Sequence, residues 1–299
     1  MSISNLYSDL RPRAFVIAYQ MLGSVSEAED AVQEAFLRIH QTLQRDEQIE
    51  SPQAYLTTVV TRIAVDHLRS ARARREHYVG EWLPEPLATG SLPAEQAEMA
   101  DSLSLAFLVL LESLTPRQRA AFLLREVFEY PYAEVARIVG TDVDSARHLV
   151  ARARNQVRQR RSRYHASRRR RDELARRFFA AAEHGDLPAL EKLLADEVTL
   201  YVDGGGKAPA LMRPVSGLLR VARSLVGATS ALAARGMRVV TTDVNGQPGA
   251  VTVDADGRLI GVLGLDVAGD RIRAIHFVAN PDKLRHLERA GRGFHAPSP

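Results

Sequence analysis

Between Thr115 and Arg171 the chain carries a pattern that few folds accommodate. Thr115-Pro116 reads as a helix start, with a hydroxyl to cap free N–H groups and a proline whose missing donor does no harm there. Ala120, Phe122, Leu123 and Val127 follow at helical spacing. A second short helix begins at Tyr132 (Ala133, Val135, Ala136, Val139) and stops at Gly140, a residue suited to the left-handed backbone of a helix end. Thr141-Asp142-Val143-Asp144-Ser145 then supplies a turn and a new cap. The next helix sets Arg147, His148, Arg152, Arg154 and Arg158 beside Ala146, Leu149, Val150, Ala153 and Val157. From Ser145 to Arg171 there are eleven arginines and no acid. A short helix, a Gly-containing turn and a basic helix present that last helix to the major groove of DNA. Taken alone, the charge run has a plainer alternative as a solvated face.

A chain of 299 residues has room for two or three domains with cores of their own. It has no cysteine, which excludes disulfides and zinc fingers. No apolar run approaches the roughly 18 residues that cross a bilayer, and the N-terminus lacks a signal-peptide layout. The expectation is a cytosolic protein with no membrane contact. The net charge of +4 leans towards an anionic partner. Lysine occurs only at 192, 207 and 283. Arginine suits phosphate and guanine contacts, although a GC-rich genome gives the same bias.

The first 75 residues read as a helical bundle. Residues 6–22 form a helix (Leu6, Leu10, Phe15, Ala18, Tyr19, Leu22) that breaks at Gly23-Ser24. Ser26 is the expected cap of a second helix whose early acids, Glu27, Glu29, Asp30 and Glu34, suit the positive end of its dipole. Ala31, Val32, Ala35, Phe36 and Ile39 make its apolar stripe. Ser51-Pro52 starts a third helix with Tyr55, Leu56, Val59, Val60, Ile63 and Ala64 inside and Arg62, Arg69, Arg72, Arg74 and Arg75 on its later turns.

"EAEDAVQEAFLRIH", "SPQAYLTTVVTRIAVDHLRSARARR" and "LTPRQRAAFLLREVFEYPYAEVARIVG", in this order and spacing, resemble an extracytoplasmic-function (ECF) sigma factor over nearly all of residues 1–160. The resemblance implies a region 2 domain (1–75) that binds core RNA polymerase and melts the −10 promoter element. It implies a region 4 helix-turn-helix domain (102–165) that reads the −35 element. Asp30, Gln33, Glu34, Phe36 and Arg38 fall where the family docks on a coiled coil of the largest polymerase subunit. Carboxylates around a partly exposed aromatic suit such a surface; Phe36 equally suits a core position. Arg62, Asp66, His67, Arg69 and Arg72 fall where the family grips the non-template strand, with flipped bases in pockets and the backbone against positive charge. Asp66 stands where other members carry an amide, and a carboxylate only accepts hydrogen bonds. Ser145, Arg147, His148 and Arg152 map to the −35 reading face.

Residues 76–101 form a connector with Gly80, Pro84, Pro86, Gly90 and Pro93, kept extended by its prolines. It holds "EWLPEP" and the sole tryptophan, Trp82, a side chain expected to pack on polymerase or on another part of this chain. From 166 to 299 the texture changes. Two helices, a strand at "VTLYVDGGG", a helix over Val215–Ala234 and four strands near 238–244, 249–253, 259–267 and 271–278 are expected, with turns at Gly246, Asp256-Gly257 and Gly269-Asp270. Helices followed by a curved antiparallel sheet give an α+β cone similar to the SnoaL-like, or nuclear-transport-factor-like, fold. The fold class expected overall is therefore multidomain: two all-α domains, then an α+β cone.

The SigJ-like group of ECF factors carries such a domain, together with "WLPEP", "DGGGK" and "NPDKL" motifs. Here these stand at Trp82, Leu83, Pro84 and onward to Pro86, at Asp203, Gly204, Gly205, Gly206 and Lys207, and at Asn280, Pro281, Asp282, Lys283 and Leu284. In that group the extra domain acts as a built-in regulator, and a docking of cone on linker, with the loop or tail against Trp82, is the expectation here. Asp203, Asp266 and His276 are candidates for acid–base chemistry, but no nucleophile or activating base pairs with them at a recognisable spacing. "DGGGK" lacks the flanks of a phosphate loop, and a His286/His295 metal site has no supporting cluster. The reading is a sigma factor, not an enzyme, with no cofactor and no metal. Its expected partners are core polymerase and promoter DNA, with a small-molecule ligand in the cone as a further candidate. The alternatives are a bifunctional factor whose last domain binds or turns over a small hydrophobic ligand, and a simpler DNA-binding repressor.

Overall fold

The computed structural model describes residues 3–45, 49–75, 77–88, 100–160, 166–208, 210 and 213–290. The chain forms two compact units, one of residues 1–77 with 110–161 and one of residues 78–109 with 162–299. The sequence crosses between them within α5 (Leu105–Leu111), which follows α4 (Ala100–Leu103).

The first unit is all α. Its bundle comprises α1 (Ile3–Leu22), α2 (Val25–Gln44) and α3 (Pro52–Arg75). Ile17, Tyr19, Leu22, Ala28, Val32, Ala35, Leu56, Val60 and Ala64 are buried at its centre, at the spacing of an inward helical stripe. The α2 cap is Ser24 and not Ser26. Gly23 turns the chain at φ 67°, Ser24 is extended, and its hydroxyl accepts from Glu27 N–H at 3.2 Å. That puts the first helical residue at Val25, two residues earlier than a Ser26 cap implies. Helix α6 (Pro116–Phe122) starts with a capping box in which Thr115 and Gln118 satisfy each other's backbone N–H groups. It runs on as a π-helical turn over Leu123–Val127. Helix α7 (Tyr132–Val139) ends at Gly140 with φ 73°, ψ 55°. The long helix α8 (Val143–Arg160) packs through Ala146, Val150, Ala153 and Val157, all buried.

The second unit is α+β. In chain order it has α9 (Arg168–Glu183), α10 (Leu187–Leu193), β1 (Leu194–Asp203), β2 (Val215–Ser216), α11 (Leu218–Ala234), β3 (Arg238–Val244), β4 (Gln247–Val253), β5 (Leu259–Ala268), β6 (Arg271–Val278) and α12 (Pro281–Ala290). Val215 and Ser216 pair with β1 as a short strand, so the helix expected from Val215 begins only after Gly217. The sheet order is β2-β1-β6-β5-β4-β3, with β1 and β6 parallel and the other neighbours antiparallel.

Alternation along the strands gives the sheet two apolar faces. Val198, Leu200, Leu265 and Ile272 pack with Leu174, Phe178, Leu190, Val221 and Leu225 of the helices. Val251, Val262 and Val278 pack instead with Leu83, Leu105, Leu284 and Leu287. The second face is therefore covered by the connector, α5 and the final helix. Among the described residues no helix is long and apolar enough to cross a membrane.

Candidate functional sites

On α2 the residues that resemblance assigned to polymerase share the outer face. Asp30, Gln33 and Arg38 are exposed, and Glu34 is half-buried and bonded to Arg38 one turn on. Phe36 is half-buried with its ring 4.6 Å from that of Tyr7, so it is neither free nor part of the bundle centre. Beside it Leu37 is 55% exposed. Sequence reasoning passed over Leu37; its signal was an apolar residue outside the inward stripe.

On α3, Asp66 and Arg69 are exposed and paired at 3.0 Å, and His67 is half-buried. The Arg72 side chain lies outside the described residues. Arg62 is solvent-exposed yet engaged: its Nε donates to the carbonyl of Ile138 at 3.1 Å and its Nη2 to that of Arg137 at 3.0 Å. These are carbonyls of the last turn of α7, where the helix dipole is negative.

At the head of α8, Asp142 is the residue that caps. Its Oδ1 accepts from Ser145 N–H at 2.8 Å and its Oδ2 from the Ser145 hydroxyl at 2.7 Å. These two bonds hold the Asp142 carboxyl below its ordinary range. Ser145 is thus tied to its own cap. Arg147 pairs with Asp144 at 2.9 Å and lies 5.8 Å from the Tyr132 ring centre. Arg147, His148 and Arg152 are all exposed.

The three motifs of the second unit meet at one carboxylate, although they lie up to about 200 positions apart in sequence. Asp203 is fully buried. Its Oδ1 accepts from the Tyr78 phenol at 2.6 Å, and its Oδ2 accepts from Leu83 N–H at 2.8 Å and from Lys283 Nζ at 2.7 Å. Lys283 also donates to the Leu83 carbonyl and lies 4.2 Å from the Trp82 ring centre and 4.8 Å from that of Tyr78. A buried charge is tolerated only when paired and hydrogen-bonded, and here both members are. Asn280 donates to the Tyr78 oxygen at 2.7 Å. Burial, and then the bond to Asp203, push the Tyr78 phenol well above its ordinary range.

The glycine loop closes over this seat. A Cβ on Gly205 would fall 2.1 Å from Asn280 Nδ2, and one on Gly206 would fall 3.3 Å from Val79. Lys207 pairs with Asp282. Pro84 is buried, Pro281 is exposed and Leu284 joins the apolar cover of the sheet. A second anchor, absent from the sequence reading, is Asn245. Its Oδ1 accepts from Leu87 N–H and its Nδ2 donates to the Leu103 carbonyl, both at 2.8 Å. Its only sequence signal was Asn-Gly at a hairpin turn. His286 bonds the Pro86 carbonyl at 2.7 Å; His295 lies outside the described residues.

The candidates for acid–base chemistry do not form a set. Asp203 is committed to the connector. His276 is buried, stacked on Tyr201 with ring centres 5.2 Å apart, and burial pulls its pKa down to about 4. Asp266 is half-buried on the neighbouring strand, where it registers with Ala274 rather than with His276. Among the described residues no group of three potential metal ligands occurs.

Residues 6–74 match sigma-70 region 2 and residues 104–157 match sigma-70 region 4. The chain is 37% identical to the ECF RNA polymerase sigma factor SigJ of Mycobacterium tuberculosis, over 97% of each chain. It is 30% identical to the probable ECF sigma factor SigI of the same species, over 92% of this chain and 93% of that one. The crystal structure of M. tuberculosis SigJ superposes with a TM-score of 0.76 at 34% identity, covering 95% of this chain and 98% of the other. Sigma-70 region 2 and region 4 domains in this order, a helix-turn-helix capped as described and a relative matched almost end to end leave one conclusion: the chain belongs to the extracytoplasmic-function RNA polymerase sigma factors, which bring core RNA polymerase to promoter DNA.

Proposed function

We propose that this sigma factor is regulated from within, by a C-terminal domain that binds the connector between its two DNA-reading domains. The observation that carries the reading is the Asp203 carboxylate, which receives Tyr78 and Leu83 from the connector and Lys283 from the tail motif. A connector held along 78–88 has less slack with which to separate the flanking domains, and a modest polar interface suits a switch. In the same reading, Asp30, Gln33, Glu34, Phe36 and Arg38 dock on the coiled coil of the largest polymerase subunit. Arg62, Asp66, His67, Arg69 and Arg72 grip the non-template strand, and Ser145, Arg147, His148 and Arg152 read the −35 element. The C-terminal domain acts by binding and carries out no turnover, because its best-placed acid is already committed.

The test is run-off transcription with core polymerase and the full-length Tyr78→Phe/Asn280→Ala variant, with Trp82 emission as a check on the seat. Higher run-off together with red-shifted emission is expected. Unchanged run-off from a chain whose Trp82 has become exposed refutes regulation by the seat. A second reading, a small hydrophobic ligand in the cone, draws on the buried His276 Nδ1, which has no hydrogen-bond partner. Such a ligand has to displace Leu105, which packs on Gly264 of the same face.

A further inference from the structure

The second unit carries a row of unpaired cations that neither the connector seat nor the sheet uses. Burial of Leu174, Ala175, Phe178, Ala181 and Ala182 fixes the rotation of α9 about its own axis. Its arginines then divide. Arg168 pairs with Asp243 at 2.9 Å, and Arg170 pairs with Asp270 at 2.7 Å and with Glu173 at 3.0 Å. Arg169, Arg176 and Arg177 are exposed and, among the described residues, pair with no carboxylate. With Glu173 and Ala180 they line an open cleft of about 600 Å³. Arg177 and Ala180 also line a second cleft, of about 450 Å³, that extends to the exposed Lys192 of α10. The acids in these clefts are already engaged, Glu173 by Arg170 and Asp186 by the N–H of Ala189 at 2.9 Å.

Spacing and charge point to a polyanion. Positions 169, 173, 176, 177 and 180 fall on one side of a helix with about 3.6 residues per turn, along a stretch of about 16 Å. Duplex DNA offers a phosphate about every 3.4 Å of axis on each strand, and the planar guanidinium fork matches phosphate oxygens. Chain continuity selects nucleic acid over an acidic protein surface. Helix α8 ends at Arg160 and α9 starts at Arg168, so only residues 161–167 lie between them. Fully extended, that link reaches at most about 28 Å. No acid interrupts the sequence from Ser145 to Arg171. A duplex held on α8 therefore has its next phosphates within reach of α9, however the two units are arranged. Link and helix together cover about 45 Å, or about 13 base pairs.

We propose that the Arg169/Arg176/Arg177 face of α9 binds the phosphate backbone of the duplex that flanks the −35 element. It is a sequence-independent contact beside the base-reading helix, and Lys192 extends it along the second cleft. The C-terminal domain is then a DNA-binding module as well as the seat of the connector. The place of this contact on the DNA rests on the reading of α8 as the −35-reading helix.

Fluorescence anisotropy of the full-length chain on two labelled duplexes tests this. The short duplex holds the −35 element alone; the long one adds about 15 base pairs at each end, enough for the reach above. Wild type should bind the long duplex more tightly. Arg169→Ala/Arg176→Ala/Arg177→Ala should weaken long-duplex binding about 10- to 100-fold at about 50 mM salt. Its slope of log affinity against log salt should be flatter by about 2.7, for three phosphates at about 0.9 each. Short-duplex binding and thermal unfolding should stay as in wild type. The corresponding triple lysine variant keeps the charge and should restore the wild-type slope. An unchanged slope in the alanine variant, or an equal loss on the short duplex, overturns the proposal. An alanine variant that binds both duplexes normally but loses core polymerase also overturns it, and gives the face to an acidic protein surface. Failure of the α8 reading shows elsewhere. Wild type then binds short cognate and short scrambled duplexes equally, while the alanine variant still loses affinity for long duplex of either sequence; the −35 placement falls and the phosphate contact stands.

Discussion

Ion pairs of the same chemistry behave differently in the two units. On α8, Arg147 and Asp144 are bonded at 2.9 Å with side chains 59% and 80% exposed. In the connector seat, Lys283 and Asp203 are bonded at 2.7 Å with side chains 8% and 0% exposed. Water and salt screen the first pair, which contributes about 0–1 kcal/mol and releases its arginine readily. The second pair has no water to fall back on, so removing one partner strands a buried charge. Short separations within one helix produce exposed, exchangeable pairs. A pair that joins residues 80 positions apart pins tertiary structure.

The contrast breaks first, if it breaks, at Lys283. Lys283→Met should lower the stability of the second unit by about 3–5 kcal/mol, read from denaturant unfolding followed by Trp82 fluorescence; a loss below about 1 kcal/mol equates the two pairs. His276 comes next. Its folded pKa, near 4, lies below the unfolded value near 6.5. The unfolded chain therefore binds more protons between those values, and stability falls as pH drops from about 6.5 to about 4, by roughly 3 kcal/mol. Below that window the contribution is constant. His276→Phe should flatten that segment of the stability–pH curve, and a curve that keeps its slope removes His276 as the cause.

Arg147 tests the exposed side. Arg147→Ala should weaken binding to the cognate −35 duplex by about 1–3 kcal/mol and hardly affect scrambled duplex; equal losses on the two, measured by fluorescence anisotropy, sink base reading. The smallest effect belongs to its partner. Asp144→Ala should change unfolding free energy by no more than about 0.5 kcal/mol, while leaving −35 affinity equal or slightly tighter. A larger destabilisation would place that pair with the buried one.

The ends of the recognition hairpin were legible without coordinates. Thr115-Pro116, Gly140 and the Asp142–Ser145 turn act on their own backbone within four residues, so composition and order suffice. The α2 start was misplaced because Ser24 and Ser26 are both competent caps, and the Gly23 turn decides between them. The sheet was legible as strands and turns, but the Val215–Ser216 strand was hidden in a run that also suits a helix. Its pairing partner, Thr199–Leu200, lies outside any local window. Phe36 was left open between core and surface, and the ring of Tyr7 sets it between the two.

The site residues divide the same way. Asp203, the glycine loop and the tail motif stood out as motifs, while Tyr78 and Asn245, which complete the seat, did not. One tyrosine in a connector and one asparagine in a turn carry no pattern until a fold brings them to a partner. Arg62 was legible as a cation on the later turns of α3, but not as a ligand of α7. Sequence alone determined the helical and strand periods, the caps of the helix-turn-helix, the family and the order of its domains, because those are carried by short runs of neighbouring residues. Tertiary structure alone decided that the connector is buried on a sheet, that one ion pair is sealed from water and that Arg62 meets a helix end. Contacts across 75 to 200 positions depend on how whole faces pack, and burial, which sets their energies, exists only after the packing is complete.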